Sequence, residues 1–163
     1  MAFFLFISFV IFLRIGELIL SKWNETWLLM NDAIEYGHKH YPFIVVLHVL
    51  FFISMIVEYV TQETTSFSLF FLVSYFILIL FKVWIIASLG KFWNTKIFRI
   101  PDVPLINKGP YKYLKHPNYM AVIAEIAIIP LTFHLYFTAI IFTLLNLIML
   151  YVRVKEENKA LQI

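Results

Sequence analysis

Two short polar stretches of this 163-residue chain hold the residue types that could do chemistry: GPYKYLKHPNY at 109–119 and RVKEENKAL at 153–161. In the first, Gly109 and Pro110 permit a turn. Pro117 suits the first turn of a helix, and His116 occupies the cap region before it. A helix start presents free N–H groups and partial positive charge, a natural place for a carboxylate or another anionic group. In the second stretch Arg153 and Glu157 lie one turn apart on a helix. As a simple intrahelical pair they would contribute only about 0.3 to 0.5 kcal/mol. The chain has no cysteine, which removes disulfides, thiolate metal sites and cysteine nucleophiles. His38, Lys39 and His40 read as a solvated loop without metal-site geometry, so no metal is expected.

The elements that position these stretches are set by lipid. Hydrophobic residues make up 62% of the chain and charged residues 14%, a balance that would leave large apolar patches on a water-soluble domain. Apolar runs near 2–20, 43–59, 67–89, 117–133 and 135–152 predict five spanning helices, each long enough to cross about 30 Å of hydrocarbon. None shows the alternation of a barrel strand. The expectation is an all-α integral membrane protein, a single domain over 1–163, with about five transmembrane helices and a C-terminal hairpin. The first run lacks the basic start and cleavage site of a signal peptide, so it is read as a retained span.

Charge placement orients the spans. Lys91, Lys96, Arg99, Lys108, Lys112 and Lys115 precede the fourth run, and Arg153, Lys155 and Lys159 follow the fifth. Such an excess marks the cytoplasmic side. The N-terminus is then outside, 21–42 inside, the loop 61–66 outside and the C-terminus inside. Both polar stretches therefore meet on the cytoplasmic face of one hairpin. Pro101, Pro104 and Pro110 make 100–110 irregular yet stiff, and such backbone at membrane depth must line a cavity.

GPYKYLKHPNY, an apolar hairpin and RVKEENKAL, in this order and at this spacing, resemble the isoprenylcysteine carboxyl methyltransferase family of membrane enzymes. The resemblance covers about 89–163, with Leu89-Gly90-Lys91-Phe92-Trp93 similar to the family's approach to the motif; 1–60 matches only in hydropathy. It implies S-adenosylmethionine as cofactor, bound at the cytoplasmic ends of these helices. It carries His116, Pro117 and Tyr119 to cofactor contact, with Tyr111 and Tyr113 walling the pocket. Arg153 and Glu157 carry over as the catalytic charged pair that holds the cofactor or orients the acceptor oxygen. No glycine-rich nucleotide loop of the soluble kind is present, since the glycines are Gly16, Gly37, Gly90 and Gly109.

Two departures bear on substrate. Many members continue past the acidic motif with a further amphipathic segment. The sequence HPNYMAVIAEIAIIPL with a terminal Glu157-Asn158 resembles a bacterial subgroup linked to type III polyketide synthases, which methylates alkylpyrone or alkylresorcinol hydroxyls. The favoured acceptor is thus an oxygen on a lipophilic small molecule. The alternatives are an isoprenylcysteine-type carboxylate, a phospholipid headgroup nitrogen, or a non-enzymatic membrane scaffold. The expected surroundings are a bacterial cytoplasmic membrane and its lipid, with no nucleic-acid partner.

Ionisable groups inside the spans are functional candidates, because exposing them to lipid costs about 2.5 to 3.5 kcal/mol on insertion scales. Arg14 and Glu17 are spaced to pair. Arg14, Glu58 and Lys82 lie near enough to span ends to snorkel. Glu125 is too deep for that, and the expectation is that it faces the cofactor pocket or bonds to Asn146 or Arg153.

Overall fold

Apolar runs in lipid leave the backbone no hydrogen-bonding partner but itself, and helices are what follow. A computed structural model describes residues 1–62 and 66–161. Its helices are α1 (Ala2–Met30), α2 (Tyr41–Thr61), α3 (Leu69–Leu89), α4 (Pro117–Leu131) and α5 (Tyr136–Leu161). The protein is nearly all-α, an integral membrane fold as the composition requires. A small ribbon, absent from the sequence reading, joins the loops: β1 (Ile34–Tyr36) pairs antiparallel with β2 (Ile97–Arg99), setting Ile34 opposite Arg99 and Tyr36 opposite Ile97. Three residues per strand are too few to show a period.

Among the described residues four helices, all but α4, are long and apolar enough to cross a membrane. With 15 residues α4 reaches only about 22 Å, short of a full span. It stops before the expected end at 133 because His134 adopts φ 58°. That residue closes the helix: the Leu135 N–H donates to the Pro130 carbonyl at 3.1 Å and the His134 N–H to that of Leu131 at 3.2 Å. In contrast, α1 runs well past the expected 2–20 span. Hydropathy marks where lipid ends, not where a helix ends. The extension buries Ser21 and Asn24 against the segment after α3, where the Asn24 side chain donates to the Trp93 carbonyl at 2.7 Å and Asn94 to that of Ser21 at 2.8 Å.

The apolar core gathers toward the face where α1 starts and α2 ends. Phe3 stacks on Tyr59 with ring centroids 3.8 Å apart, and Phe133 meets Phe3 edge-on. Glu58, expected to snorkel, instead caps α5: its carboxylate accepts from the N–H of Phe137 at 3.0 Å and of Thr138 at 2.8 Å. The expected outer loop at 61–66 falls partly on 63–65, outside the described residues.

The opposite face holds the ribbon, the proline-rich loop and the end of α5. The 100–108 stretch forms neither helix nor strand, as its prolines dictate, and Gly109–Lys112 is a short 3-10 turn. Gly109 has φ 57°, and a side chain there would collide with Ser88 on α3, so glycine is required twice over. Of the thirteen Lys and Arg residues, Arg14 and Lys82 lie within the bundle, and the other eleven fall by connectivity on this one face.

Candidate functional site

His116 is the N-cap of α4 and Pro117 its first residue. The His116 ring lies parallel to that of Tyr119, centroids 5.4 Å apart at 14°. Helix α5 brings its last turns alongside. The Arg153 guanidinium sits 5.3 Å from the Tyr119 ring centre, its Nε donates to the Tyr119 hydroxyl at 3.1 Å, and a terminal nitrogen donates to the Thr95 carbonyl. The intrahelical Arg153–Glu157 pair does not form. Glu157 turns to the loop instead, with Oε2 3.3 Å from His116 Nδ1.

That approach is close in distance but not aligned as a hydrogen bond. His116 Nε2 and Glu157 Oε2 are both buried without a hydrogen-bond partner among the described residues. Buried polar atoms are nearly always satisfied, so two orphans at one place ask for a ligand. Both residues border a cavity of about 90 Å³ whose other walls include Trp93, Phe98, Tyr111, Lys115, Tyr119 and Arg153. Burial, and then the nearby Glu157 charge, raise the Tyr111 pKa well above the usual phenol value, which keeps its hydroxyl a neutral donor. At the rim, burial works against Lys96 as a cation. Glu25 at 3.1 Å and Glu35 at 3.5 Å outweigh it and hold its pKa above the ordinary lysine value.

A second cavity of about 230 Å³ lies between α1 and α2 and reaches α4 and α5. Leu18, Ile44, Val49, Val122 and Met149 make its surface largely apolar, with His48 and Asn146 among its polar neighbours. The two cavities share Trp93, Asn118, Tyr119 and Arg153 as a common wall. Sequence reasoning overlooked Trp93, Asn118 and Thr95. The signal for the first two was present, since Trp93 ends the LGKFW approach and Asn118 sits inside HPNY.

Two residues expected at the pocket are elsewhere. Tyr113 is 75% exposed and borders neither cavity, because it follows the 3-10 turn and points outward under Lys112. Glu125 borders neither cavity and bonds to neither Asn146 nor Arg153. Its carboxylate is engaged by Lys82 at 2.9 and 3.0 Å and by Arg14 at 2.6 Å. Lys82 also meets Glu17 at 2.6 Å, and Arg14 pairs with Glu17 at 2.9 Å as their spacing predicts. Arg14 and Lys82 therefore do not snorkel; they close a neutral quartet inside the bundle. Pro117 is buried at the helix start, where it shapes the site without bordering either cavity.

Fold and site together define an integral membrane protein with a polar chamber at one surface, backed by an apolar chamber among the helices. Residues 69–163 match the model of the Isoprenylcysteine carboxyl methyltransferase (ICMT) family, more than half of the chain, and the chain belongs to that family. Membership points to a membrane methyltransferase. The chain is 41% identical over 162 residues to the uncharacterized protein YpbQ of Bacillus subtilis (strain 168), a match covering 98% of this chain and 96% of that protein. It is 29% identical over 156 residues to an uncharacterized protein of Haemophilus influenzae, covering 93% of this chain and 90% of the other. No solved structure matches the chain.

Proposed function

We propose that this protein is an S-adenosylmethionine-dependent O-methyltransferase whose acceptor is a lipophilic molecule bearing an enol or phenol hydroxyl, of the alkylpyrone or alkylresorcinol type. The observation that carries the reading is the shared wall. A small chamber with unsatisfied polar atoms meets a larger apolar one at Arg153 and Tyr119, so a polar donor and a greasy acceptor can be held against each other. A type III polyketide synthase is the kind of enzyme that would supply such an acceptor.

The small chamber suits the donor. Glu157 faces where a cation would lie, Lys115 and His116 are placed for a carboxylate, and the faces of Trp93 and Tyr111 offer stacking and cation–π contact. Bound there, S-adenosylmethionine supplies an electrophilic methyl group on a sulfonium. The chain's own task is then alignment and exclusion of water, which the surrounding helices provide. Among the described residues no carboxylate pairs with Arg153, so its charge is available to an acceptor oxygen as the proton leaves. Its bond to Tyr119 fixes the guanidinium plane. A pyrone enol is acidic enough to need little base. A resorcinol hydroxyl needs Glu157 or His116 to take its proton, because phenols titrate near about 10.

The test is to hold the protein in lipid nanodiscs with methyl-labelled S-adenosylmethionine and offer an alkylresorcinol, a farnesylcysteine analogue and phosphatidylethanolamine separately. Label in the alkylresorcinol is expected. Label only in one of the others would reassign the acceptor, and no cofactor binding by the folded protein would remove the enzyme reading. The eleven Lys and Arg on the site's face support a cytoplasmic site with the N-terminus outside. In this cysteine-free chain, Gln62→Cys should react with an impermeant maleimide added to intact cells and Lys108→Cys should not; the reverse pattern inverts the topology.

A further inference from the structure

Most polar side chains around the larger cavity are already engaged. Arg14, Glu17 and Lys82 hold one another and Glu125, while Arg153 holds Tyr119 and Thr95. Two side chains on the long helices α2 and α5 are not engaged in this way. Asn146 is 2% exposed and borders the cavity, and its Nδ2 has no hydrogen-bond partner among the described residues. His48 borders the same cavity from α2, with Nδ1 2.8 Å from the Ile44 carbonyl. A carbonyl only accepts, so Nδ1 carries the hydrogen. Nε2 of the neutral ring is then left with a lone pair. The cavity thus holds a free donor on α5 and an acceptor lone pair on α2, and the buried Asn146 donor is the kind of unmet polar group that is costly.

Position relates this pair to the reacting centre. Asn146 precedes Arg153 by two turns of α5, roughly 10 Å along the axis. Helical side chains lean toward the N-terminus, and the longer Arg153 side chain leans further than that of Asn146, so their polar ends lie closer than the backbone separation.

We infer that Asn146 and His48 form a second polar subsite of the acceptor cavity, which receives a second oxygen function of the acceptor while the first lies at Arg153. The inference rests on the acceptor reading above and narrows it: the preferred substrate is a ring with two oxygen substituents and a hydrocarbon tail, not a monohydric phenol or alcohol. Asn146 can donate to a ring carbonyl or hydroxyl oxygen. His48 Nε2 can accept from a second hydroxyl. Neither takes part in the methyl transfer, so both determine specificity.

A matched pair of probes tests it, 5-pentadecylresorcinol and 3-pentadecylphenol, which differ by one hydroxyl. Each is titrated calorimetrically into the full-length protein in nanodiscs, with empty nanodiscs as the blank. Wild type should bind the resorcinol about tenfold more tightly, the effect of one good hydrogen bond. Asn146→Leu, close in volume and apolar, and His48→Leu should each bring the two probes within about twofold by weakening the resorcinol alone. Equal affinities in wild type would overturn the subsite, as would a full preference surviving in either folded variant or binding of neither probe. Because binding is read without turnover, the two readings fail separately. A retained preference in a protein that methylates neither probe would sink the proposed acceptor of the methyl group and leave the subsite standing; methylation without preference would do the reverse.

Discussion

The two charged clusters of this protein differ in one respect that separates structure from chemistry. The quartet of Arg14, Glu17, Lys82 and Glu125 is neutral and internally satisfied, every group engaged by another within 2.6 to 3.0 Å. The cluster of His116, Arg153 and Glu157 is held by contacts to Tyr119 and Thr95 but leaves His116 Nε2 and Glu157 Oε2 without hydrogen-bond partners among the described residues. A closed network in low dielectric resists change, whereas an open one waits for something to close it. Burial of a charge is therefore a poorer guide to function than satisfaction. The most buried charge, Glu125, is the one most completely used by the fold.

Breaking the quartet should have the largest effect. Glu125→Leu leaves two buried cations sharing one carboxylate, and the expected loss is about 3 to 5 kcal/mol of stability, seen as a lower unfolding midpoint in detergent. The double variant Lys82→Met with Glu125→Leu keeps Arg14 and Glu17 as a neutral pair and should recover most of that loss. If the double variant were as damaged as the single, the quartet would be doing more than balancing charge.

In the open cluster the effect moves from stability to rate. Arg153→Lys replaces a planar fork that serves Tyr119 and Thr95 together with a point charge. Turnover should fall about a hundredfold, or about 2.7 kcal/mol of transition-state stabilisation, with the unfolding midpoint nearly unchanged. Glu157→Gln and His116→Ala should weaken cofactor binding in calorimetry. A large stability loss with Arg153→Lys would place that residue in the same category as the quartet and erase the contrast.

At the opposite face, Glu58→Gln keeps the shape of the α5 cap and removes its charge. About 0.5 to 1 kcal/mol should be lost in the melt, with activity retained. The smallest effect belongs to Glu156→Gln. Its carboxylate pairs with Lys159 at 2.7 Å and borders neither of the two cavities of the site, and turnover should stay within about twofold of wild type. A loss comparable to Glu157→Gln would mean that the two acidic residues share a role.

The same contrast marks what can be read along a chain. The open cluster was legible because its parts are local: His116 and Pro117 sit at a helix start, Arg153 and Glu157 one turn apart, and a short hairpin returns one to the other. Its detail was not. Nothing in the spacing of 153 and 157 says that Arg153 turns to Tyr119 and Glu157 to His116, which only the packing of α4 against α5 decides. The quartet was legible only as the Arg14–Glu17 pair, since Arg14 finds Glu125 across 111 positions and Lys82 finds it across 43. Span positions followed closely from hydropathy, except where a polar helix continued beyond lipid in α1 or a turn at His134 cut α4 short. The ribbon and the Glu58 cap left no local signature, being made by partners far apart in sequence.

The ribbon has a consequence for how this protein can be recombined. Residues 69–163 hold the family motif, yet β2 within them is half a ribbon whose other half, β1, comes from the N-terminal part. Next to β1, Gly37 lies against α5, where a Cβ would be in ordinary contact with Glu156 at 3.5 Å, one residue from Glu157. Arg14 and Glu17 likewise come from the first part of the chain, and Lys82 and Glu125 from the second. A chimera joining the first 68 residues of one relative to the remainder of another would inherit mismatched halves of both the ribbon and the quartet, so the two parts must travel together.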